Sequence, residues 1–327
     1  MADNSYQPLV YREQGGNKMI VASGGQIEVQ TGGEVVFPNP YGGQDYYVDG
    51  NAEESGDGLS WATAVQSLSE AITLSNTSIA LTANRWWARR NRIFACGDQE
   101  LNEDLTILPE KCDVIGTGSD LYAMPRIIGN HTIAATRPTA GKASACRFIN
   151  CAFTDEDGTA DLFAVPALCH GLQFIGCIFW PKTGGSAGKA LEITNCAHVR
   201  ITNCDFVVRG GSMTNIFATA ISIEGTASTH DLMIENCKIT ATIGIAIANG
   251  ALMGSIIRNC VIRATGLTIN DDSDDVQVVQ NILISDANAD ADGDNAVFDL
   301  NLQLAAGNRV TCGDDLNAPM PIEAVLD

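Results

Sequence analysis

FINCAF (148–153) opens a six-residue pattern that recurs as FIGCIF (174–179), ITNCDF (201–206), IENCKI (234–239), IRNCVI (257–262) and, in degenerate form, VQNILI (279–284). Each copy reads apolar, any, Asn or Gly, Cys, any, apolar, and only the last copy replaces the cysteine, with Ile282. The anchor positions are 26, 27, 33, 23 and 22 residues apart. A β-prone unit of this length cannot bury an apolar face alone, so the pattern indicates units that stack on copies of themselves.

Stacking predicts a β-solenoid, in which equivalent positions of successive coils lie about 4.8 Å apart and form files. One interior file contains the anchor cysteines Cys151, Cys177, Cys204, Cys237 and Cys260. A second interior file lies two residues on, at Phe153, Phe179, Phe206, Ile239 and Ile262. The asparagines are predicted to form an amide ladder at a turn, each side chain bonding to those above and below: Asn150, Asn203, Asn236, Asn259 and Asn281, with Gly176 as a gap. Leucine-rich repeats, the nearest alternative, need a denser leucine pattern and shorter periods.

Composition excludes several classes of function. The 327 residues carry a formal net charge of −20, which repels a nucleic-acid backbone. No run approaches the roughly 18 apolar residues that a membrane span needs, and the first residues do not form a signal peptide. The 11 cysteines are an odd number without a secretory signal, and five occupy one repeat position, so we expect them to be reduced.

The N-terminal region has a different character. Residues 1–36 contain SGGQIEVQ (23–30) followed by TGGEVVF (31–37), in which Gly-Gly turns separate short alternating strands. Strands this short need partners, so this segment is predicted to anchor or oligomerise the chain. Residues 37–44, with two prolines and two glycines, are interpreted as a linker. The solenoid is predicted over residues 45–295, and residues 296–327 are predicted to form a final strand and tail that close it.

A strand at 46–48 precedes a predicted capping helix at about residues 60–75. Ser60 is placed at its N-cap, and its apolar stripe is Ala64, Val65, Leu68, Ala71 and Ile72. A helix here would cover the exposed edge and open core of the first coil.

The region from residue 45 resembles the entry of right-handed parallel β-helix proteins of the pectate-lyase-like superfamily. The resemblance rests on YYVDG (46–50), GDGLSWATAVQSLSEAI (56–72), RIFACGDQELNEDLTILPEKCDVIGTG (92–118) and PRIIGN (125–130), and it covers about residues 45–285. It implies an all-β, right-handed parallel β-helix solenoid with an N-terminal capping helix, preceded by a small β-rich anchoring segment. The superfamily contains lyases, hydrolases and inert shafts, so it implies little about activity.

The first residues resemble leader segments of tailed-bacteriophage virion proteins, on the stretch YREQGGNKMIVASGGQIEVQTGGEVVF (11–37). Such leaders attach trimeric spikes, fibres or decoration proteins to a head or tail. The resemblance implies phage capsid or tail proteins as partners of residues 1–44.

Acidic loops are the candidates for catalysis. Asp155, Glu156, Asp157 and Asp161 form one cluster, and Asp271, Asp272, Asp274 and Asp275 form another. Glycoside cleavage needs two carboxylates at a defined separation, whereas acidic turns on a shaft serve solubility. Neither cluster has a Lys, Arg or His beside it in sequence, which favours the second interpretation. No catalytic residue is therefore predicted, although separate coils could still assemble a site.

Metal sites are weakly indicated. Asn288, Asp290, Asp292, Gly293 and Asp299 match the spacing of a calcium loop, but no helix precedes them and Asn295 replaces the usual apolar anchor. His131, His170, His198 and His230 stand alone, without metal-ligand spacing. We predict no metal and no cofactor.

A basic, aromatic cluster is the candidate interface. Arg85, Trp86, Trp87, Arg89 and Arg90, followed by Arg92, are concentrated in an otherwise acidic chain. Stacking on a nucleic acid or sugar is one interpretation, and an intramolecular or subunit contact against acidic surface is the preferred one.

Together these observations favour a non-enzymatic phage virion protein, made in the bacterial host cytoplasm. We expect a homotrimeric capsid decoration protein or head spike, attached through its N-terminus and projecting a β-helix shaft. The alternatives are a tailspike-like polysaccharide lyase or glycosidase and a passive adhesin that binds a host surface glycan. Neither nucleic acid nor membrane is expected as a partner.

Overall fold

The structure, a computed structural model, describes residues 10–12, 19–21, 43–80, 90–118, 123–134, 145–155, 158–165, 169–181, 184–207, 215–224, 231–248, 254–266, 269–271, 276–285, 297–299, 302–305 and 309–311. The chain divides into two compact units, Met1–Pro40 and Tyr41–Asp327. In the first unit, β1 (Val10–Arg12) and β2 (Met19–Val21) pair antiparallel, with Tyr11 opposite Ile20. The Gly-Gly strands predicted within residues 23–37 lie outside the described residues.

The second unit contains one short 3-10 helix, one α-helix and a long series of strands. The 3-10 helix is Trp61–Thr63, and α1 is Leu68–Ala80. The strands are β3 (Asp45–Val48), β4 (Asn91–Ala95), β5 (Glu100–Asn102), β6 (Cys112–Gly116), β7 (Arg126–Ile128), β8 (His131–Thr132), β9 (Arg147–Ile149), β10 (Ala152–Thr154), β11 (Phe163–Val165), β12 (Gln173–Ile175), β13 (Ile178–Trp180), β14 (Ser186–Thr194), β15 (Arg200–Thr202), β16 (Asp205–Phe206), β17 (Phe217–Glu224), β18 (Met233–Glu235), β19 (Lys238–Ile247), β20 (Ser255–Arg258), β21 (Val261–Ala264), β22 (Ile269–Asp271), β23 (Val276–Val279), β24 (Ile282–Ser285), β25 (Val297–Asp299), β26 (Leu302–Ala305) and β27 (Arg309–Thr311).

These strands form two large sheets. The ten-stranded sheet has the order β25-β23-β20-β18-β15-β12-β9-β6-β4-β3, and the fifteen-stranded sheet contains the path β27-β26-β24-β21-β19-β16-β13-β10-β7-β5, with β8, β11, β14, β17 and β22 joining it laterally. Each repeat therefore gives one strand to the first sheet and one or two to the second. Within these sheets the described pairings are parallel, except that β26 and β27 pair antiparallel. The fold is all-β with mostly parallel sheets and one α-helix, an arrangement consistent with a β-solenoid.

The core lies between the sheets, where equivalent residues of successive repeats stack. One file in the ten-stranded sheet contains Phe148, Phe174, Ile201, Ile234, Ile257 and Val278. The facing file in the fifteen-stranded sheet contains Phe153, Phe179, Phe206, Ile239, Ile262 and Leu283. Every one of these side chains is at most 1% exposed. Alternation of buried and outward residues places these side chains inside along most of the strands, although in β10 all three residues are buried.

The asparagine position is the turn between the two sheets. Asn150, Asn203, Asn236 and Asn259 have φ between 54° and 57°, and Gly176 shares this left-handed conformation. Asn and Gly adopt it at lower cost than other residues, which explains why this position repeats in the sequence. The predicted amide ladder is wrong: the side chains of Asn203, Asn236 and Asn259 are exposed, and the described residues show no bond between them. Asn150 instead donates to the carbonyls of Gly116 and Gly118, at 2.9 and 2.7 Å.

The sixth repeat is shifted by one residue from its predicted alignment. Val261 pairs with Ile282, and the left-handed turn position is Gln280, with φ 57°. Asn281 therefore continues the file of Cys151, Cys177, Cys204, Cys237 and Cys260, and it does not belong to the asparagine turns. It is 1% exposed, accepts the backbone N–H of Cys260 at 2.9 Å and donates to the carbonyl of Ile257 at 3.0 Å.

The capping helix begins later than predicted. Ser60 makes no side-chain cap, and α1 runs from Leu68 to Ala80, not from 60 to 75. Its first turn is capped by Glu103, whose two carboxylate oxygens accept the backbone N–H groups of Leu68 and Ser69 at 2.7 and 2.8 Å. A carboxylate at this end satisfies unpaired donors and interacts favourably with the helix dipole. The helix therefore begins where the fold brings this acceptor.

The apolar stripe itself lies where the sequence predicts it. Ala64, Val65, Leu68, Ala71 and Ile72 are at most 2% exposed. Val65 also forms a parallel bridge with Val48, exchanging backbone bonds with Tyr47 and Asp49 at 3.0 and 2.9 Å. These bonds occupy the edge of β3, which is the last strand of the ten-stranded sheet. An otherwise unpaired edge is thereby closed.

Candidate functional site

The first acidic cluster is partly buried. Asp155 is 2% exposed; its Oδ1 accepts the side-chain amide of Asn130 at 3.2 Å and the N–H of Gly158 at 3.1 Å. Its Oδ2 has no hydrogen-bond partner. Asp161 accepts the backbone N–H of Lys189 at 2.7 Å. Glu156 and Asp157, the other members of this cluster, lie outside the described residues.

Strand stacking brings Asp161 to a lysine that sequence order does not place near it. Lys189 and Glu192 lie on β14, and Glu224 ends the adjacent strand β17, where it pairs with Thr194. The ammonium of Lys189 forms ion pairs with both Glu192 and Glu224. Ser222, opposite Glu192, donates to Glu224 at 3.2 Å. The four charged groups Asp161, Lys189, Glu192 and Glu224, here named the lysine–carboxylate cluster, are the candidate functional site.

Burial and charge set the protonation of this cluster. Burial raises the pKa of Glu192 above its usual value, and the Asp161 and Glu224 carboxylates act in the same direction against the attraction of Lys189. Burial lowers the pKa of Lys189, but its ion pairs with Glu192 and Glu224 outweigh this and the pKa is raised. The cluster therefore combines a carboxyl group that retains a proton more readily than usual with a permanent cation.

This chemistry resembles part of an acid–base site, but the geometry restricts it. Glu192 and Glu224 both contact one ammonium, so their nearest oxygens are no further apart than two hydrogen-bond lengths. Glycoside cleavage needs the scissile bond between two carboxyl groups. Lys189 occupies that space, and the three groups satisfy one another. The arrangement stabilises the outer surface of β14 and β17 and would act on a substrate only if Lys189 moved.

The other proposed acidic and metal sites fall largely outside the described residues. Asp271 ends β22, while Asp272, Asp274 and Asp275 are not described. Asp299 ends β25, while the calcium-loop residues Asn288, Asp290, Asp292 and Gly293 are not described. Across the described ranges, no three His, Cys, Asp or Glu side chains come together in a way that could hold a metal ion.

Arg90 and Arg92 are the members of the predicted interface cluster that the structure describes, and Arg90 forms an ion pair with an acid. Its guanidinium donates to Oδ1 of Asp113 at 2.7 Å, and Arg147 donates to the same carboxylate from the next strand. Burial alone would raise the pKa of Asp113, but the two guanidinium groups lower it overall. Arg90 thus makes an intramolecular contact with an acid, one of the two contact types predicted. Arg85, Trp86, Trp87 and Arg89 lie outside the described residues.

The cysteines form thiol files and no bridges in the described chain. All ten described cysteines are free, and nine are buried, with Cys96 partly exposed. Along the main file, the four thiols after Cys151 lie within hydrogen-bonding distance of a carbonyl of the preceding repeat, as Cys177 does with Phe148 at 3.3 Å and Cys204 with Phe174 at 3.4 Å. Burial raises the pKa of Cys112 to about 12 and that of Cys151 well above its usual value. Such thiols remain neutral and poorly nucleophilic.

The described histidines differ in environment. His131 is fully buried; its Nδ1 accepts the N–H of Leu105 at 3.1 Å, and its ring lies edge-on to Phe153 and Phe163. His170 accepts the N–H of Ala197 at 3.0 Å. His198 is exposed and pairs with Asp231 at 2.9 Å. Each has a structural partner, and His230 is not described.

An aromatic group lies on the outer face at the start of the ten-stranded sheet. Tyr47 stacks on Phe94 with ring centroids 5.5 Å apart, and Trp61 meets Tyr47 edge-on at 4.9 Å. Arg92 lies over the Phe94 ring at 5.5 Å and forms two bonds with Asp45, at 2.8 and 2.6 Å. Trp61 is 45% exposed, so this group presents apolar and charged surface together.

Comparison with known proteins gives no family. No protein-family model matches the chain, and no curated protein matches it in sequence. Among the described residues, no helix has the length and apolar character that crossing a membrane requires.

Proposed function

We propose that the chain is a non-enzymatic structural protein of a phage virion, a homotrimeric capsid decoration protein or head spike. Its second unit would be a right-handed parallel β-helix shaft, and residues 1–44 would dock on capsid or tail proteins. The observation that carries the proposal is the in-register stacking of strands from β3 to β25 around one buried core. A stack of this kind gives a stiff spacer without requiring a catalytic cleft.

Two further observations support the proposal. The first segment, Met1–Pro40, forms a compact unit of its own, as expected of an attachment segment. In the lysine–carboxylate cluster, Lys189 contacts both Glu192 and Glu224, so a cation lies where a scissile bond would have to lie between the two carboxyl groups. The leader resemblance supplies the virion context.

The test is incorporation into particles. The full chain and a chain lacking residues 1–40 would be supplied to phage particles that lack this protein, and incorporation measured by electron microscopy and mass spectrometry. We expect rod-like projections with the full chain and none with the truncated chain, which should still form a folded rod. Incorporation of the truncated chain would contradict the anchoring role. Absence of rods from negative-stain images of the full chain would contradict the shaft.

A second candidate function, polysaccharide cleavage, is favoured by one observation. Glu192 has a raised pKa and lies beside a cation, the combination that a general acid with a charge-neutralising partner needs. Host capsule or lipopolysaccharide would be incubated with the wild-type chain, Glu192→Gln and the control Glu235→Gln, which alters a carboxylate paired with Arg258 on the other sheet. Product release by the wild type and the control but not by Glu192→Gln would replace the structural proposal with an enzymatic one.

A further inference from the structure

The outer face of the ten-stranded sheet carries an apolar strip. Tyr47, Phe94, Ile115, Ile149 and Ile175 are register partners on five successive strands, and every one is partly exposed. At about 4.8 Å per strand the strip is about 19 Å long. Aligned, partly exposed apolar side chains of this extent are a feature of interaction surfaces, whereas isolated ones are ordinary.

The strip ends in the aromatic group already described. Trp61, at 45% exposure, and its neighbour Leu59, at 46%, are two of the most exposed large apolar residues among those described. Trp61 contacts Tyr47 edge-on, which continues the strip beyond its first strand. Aromatic residues and arginine are enriched at the centres of protein interfaces, where they supply contact area with little loss of side-chain entropy.

Arginines run beside the strip. The parallel file on the same face contains Asp45, Arg92, Asp113, Arg147, Gln173 and Arg200. Asp45 forms an ion pair with Arg92, and Asp113 forms ion pairs with Arg90 and Arg147. Arg200 is exposed, and its side chain forms no hydrogen bond or ion pair with the described residues. On a chain with a net charge of −20, this face is locally basic.

A complementary acidic surface lies at the same height in the stack. One repeat contains both Arg200, on β15, and Glu224, at the end of β17. An earlier repeat contains both Arg147, on β9, and Asp161, which precedes β11. Glu224 faces outward, with 39% of its side chain exposed. If several copies stand side by side with their stacks parallel and level, the basic face of one copy meets the acidic face of the next at matching heights. Copies attached through one end are held in this parallel, level arrangement.

We propose that the apolar strip and its arginines form one side of a subunit interface, and that the lysine–carboxylate cluster of a second copy of this chain forms the other. The contact joins two different faces, and such a contact forms a closed ring when the rotation between neighbouring copies completes a full turn, as in the proposed trimer around an axis parallel to the stacks. This inference rests on the proposed homotrimeric shaft and identifies the faces that such an oligomer uses. The apolar strip supplies burial, and the Arg200–Glu224 pair sets register and excludes antiparallel association.

The first test is charge reversal with rescue, measured on the full chain by sedimentation velocity and native mass spectrometry. We expect a discrete oligomer for the wild type. Arg200→Glu and Glu224→Arg should each weaken association about tenfold, because each places like charges across the interface. The double variant restores opposite charges at every interface of the ring, so we expect association to return to near the wild-type value.

The second test uses the apolar strip. It remains valid if Glu224→Arg does not fold because the ion pair with Lys189 is lost. Ile149→Glu should dissociate the oligomer, while Thr240→Glu, at a partly exposed outward position on the other sheet, should not. Circular dichroism would check the fold of both. An oligomer unaffected by Arg200→Glu and Ile149→Glu would overturn this interface and leave the shaft proposal standing. A chain that is monomeric at all concentrations, free and on the particle, would overturn both.

Discussion

Phe179 and Phe206 lie directly over one another in the core, with ring centroids 4.5 Å apart and ring planes 2° from parallel. Phe153 lies on the other side of Phe179, at 5.3 Å and 20°. All three are fully buried and belong to successive repeats. This aromatic stack joins three successive repeats, so its loss affects the contact between repeats and not only one of them.

Phe179→Ala is therefore expected to be strongly destabilising. Replacing a buried phenylalanine with alanine costs about 3–5 kcal/mol in the free energy of unfolding, and Phe179→Leu should cost less because it leaves a smaller cavity. Chemical denaturation followed by circular dichroism measures the difference. Lys238→Ala, at an exposed position of β19, two strands away, is the control and should change stability by no more than about 0.5 kcal/mol. Equal effects at the two sites would contradict the stack.

Gly176 tests the role of the left-handed turn. A Cβ added at Gly176 meets no atom within 4 Å, and its φ of 61° matches the asparagines of the neighbouring repeats. Gly176→Asn should therefore be neutral or stabilise the fold by up to about 1 kcal/mol, because it reduces the freedom of the unfolded chain. Gly176→Val should cost about 1–2 kcal/mol, since a β-branched residue is strained at this φ. Thermal denaturation of both variants would decide, and a stable valine variant would count against the turn argument.

The repeat anchors were predictable because burial alone selects them. Cys151 and its equivalents come directly before a strand, and Phe153 and its equivalents lie two residues later on the same buried side, so the period of two is visible in the sequence. The register of the last repeat was not predictable in the same way. VQNILI and the segment one residue earlier both present apolar residues at the right spacing, and the asparagine favoured the wrong choice. The deciding feature is the positive φ of Gln280, which could not be predicted because glutamine has no preference for the left-handed conformation.

The lysine–carboxylate cluster escaped prediction for a geometric reason. Lys189 and Glu224 are 35 positions apart and become neighbours because adjacent strands stack. The anchor cysteines are between 23 and 33 residues apart, so the loops differ in length and side chains outside the hexads cannot be aligned by counting. The cap of α1 has the same origin, since Glu103 reaches Leu68 from 35 residues away. Contacts between repeats outside the regular strands require the fold to be known.

Asn281 is predicted to contribute more to the free energy of unfolding than the exposed asparagines do. Its amide joins two backbone groups, the N–H of Cys260 and the carbonyl of Ile257, in a fully buried place. Asn281→Ala leaves both unpaired and should lower the free energy of unfolding by about 2–4 kcal/mol. Asn259→Gly is the matched control on the exposed turn and should cost only a few tenths of a kcal/mol, because glycine accepts the same φ. Similar losses at both positions would contradict the reassigned register.

The thiol files predict a pattern of chemical labelling. Nine of the ten described cysteines are buried, and burial raises the pKa of Cys112 and Cys151, so neither the access nor the thiolate needed for alkylation is present in the folded chain. Iodoacetamide followed by peptide mass spectrometry should label Cys96 first among these ten. In denaturant all 11 cysteines of the chain should react. Rapid native labelling of Cys204 or Cys237 would contradict their place in the core.

His131 predicts an acid-sensitive contribution to stability. Burial lowers the pKa of its imidazole from 6.5 to about 4, while the nearby charge of Asp104 acts weakly in the opposite direction. Between these two values the unfolded chain binds a proton that the folded chain does not, so stability falls as the pH is lowered through this window. A difference of this size corresponds to about 3 kcal/mol at the acidic end.

The variant that isolates this effect is His131→Asn. Its side-chain oxygen can take the place of Nδ1 and accept the Leu105 N–H, but it does not titrate. We expect it to be less stable than the wild type at pH 7, because the smaller side chain leaves a cavity beside Phe153 and Phe163. Its urea midpoint should nevertheless decline less steeply than that of the wild type between pH 6.5 and 4. Parallel declines for the two proteins would show that His131 is already protonated in the folded chain. The prediction that its buried imidazole is neutral would then be wrong.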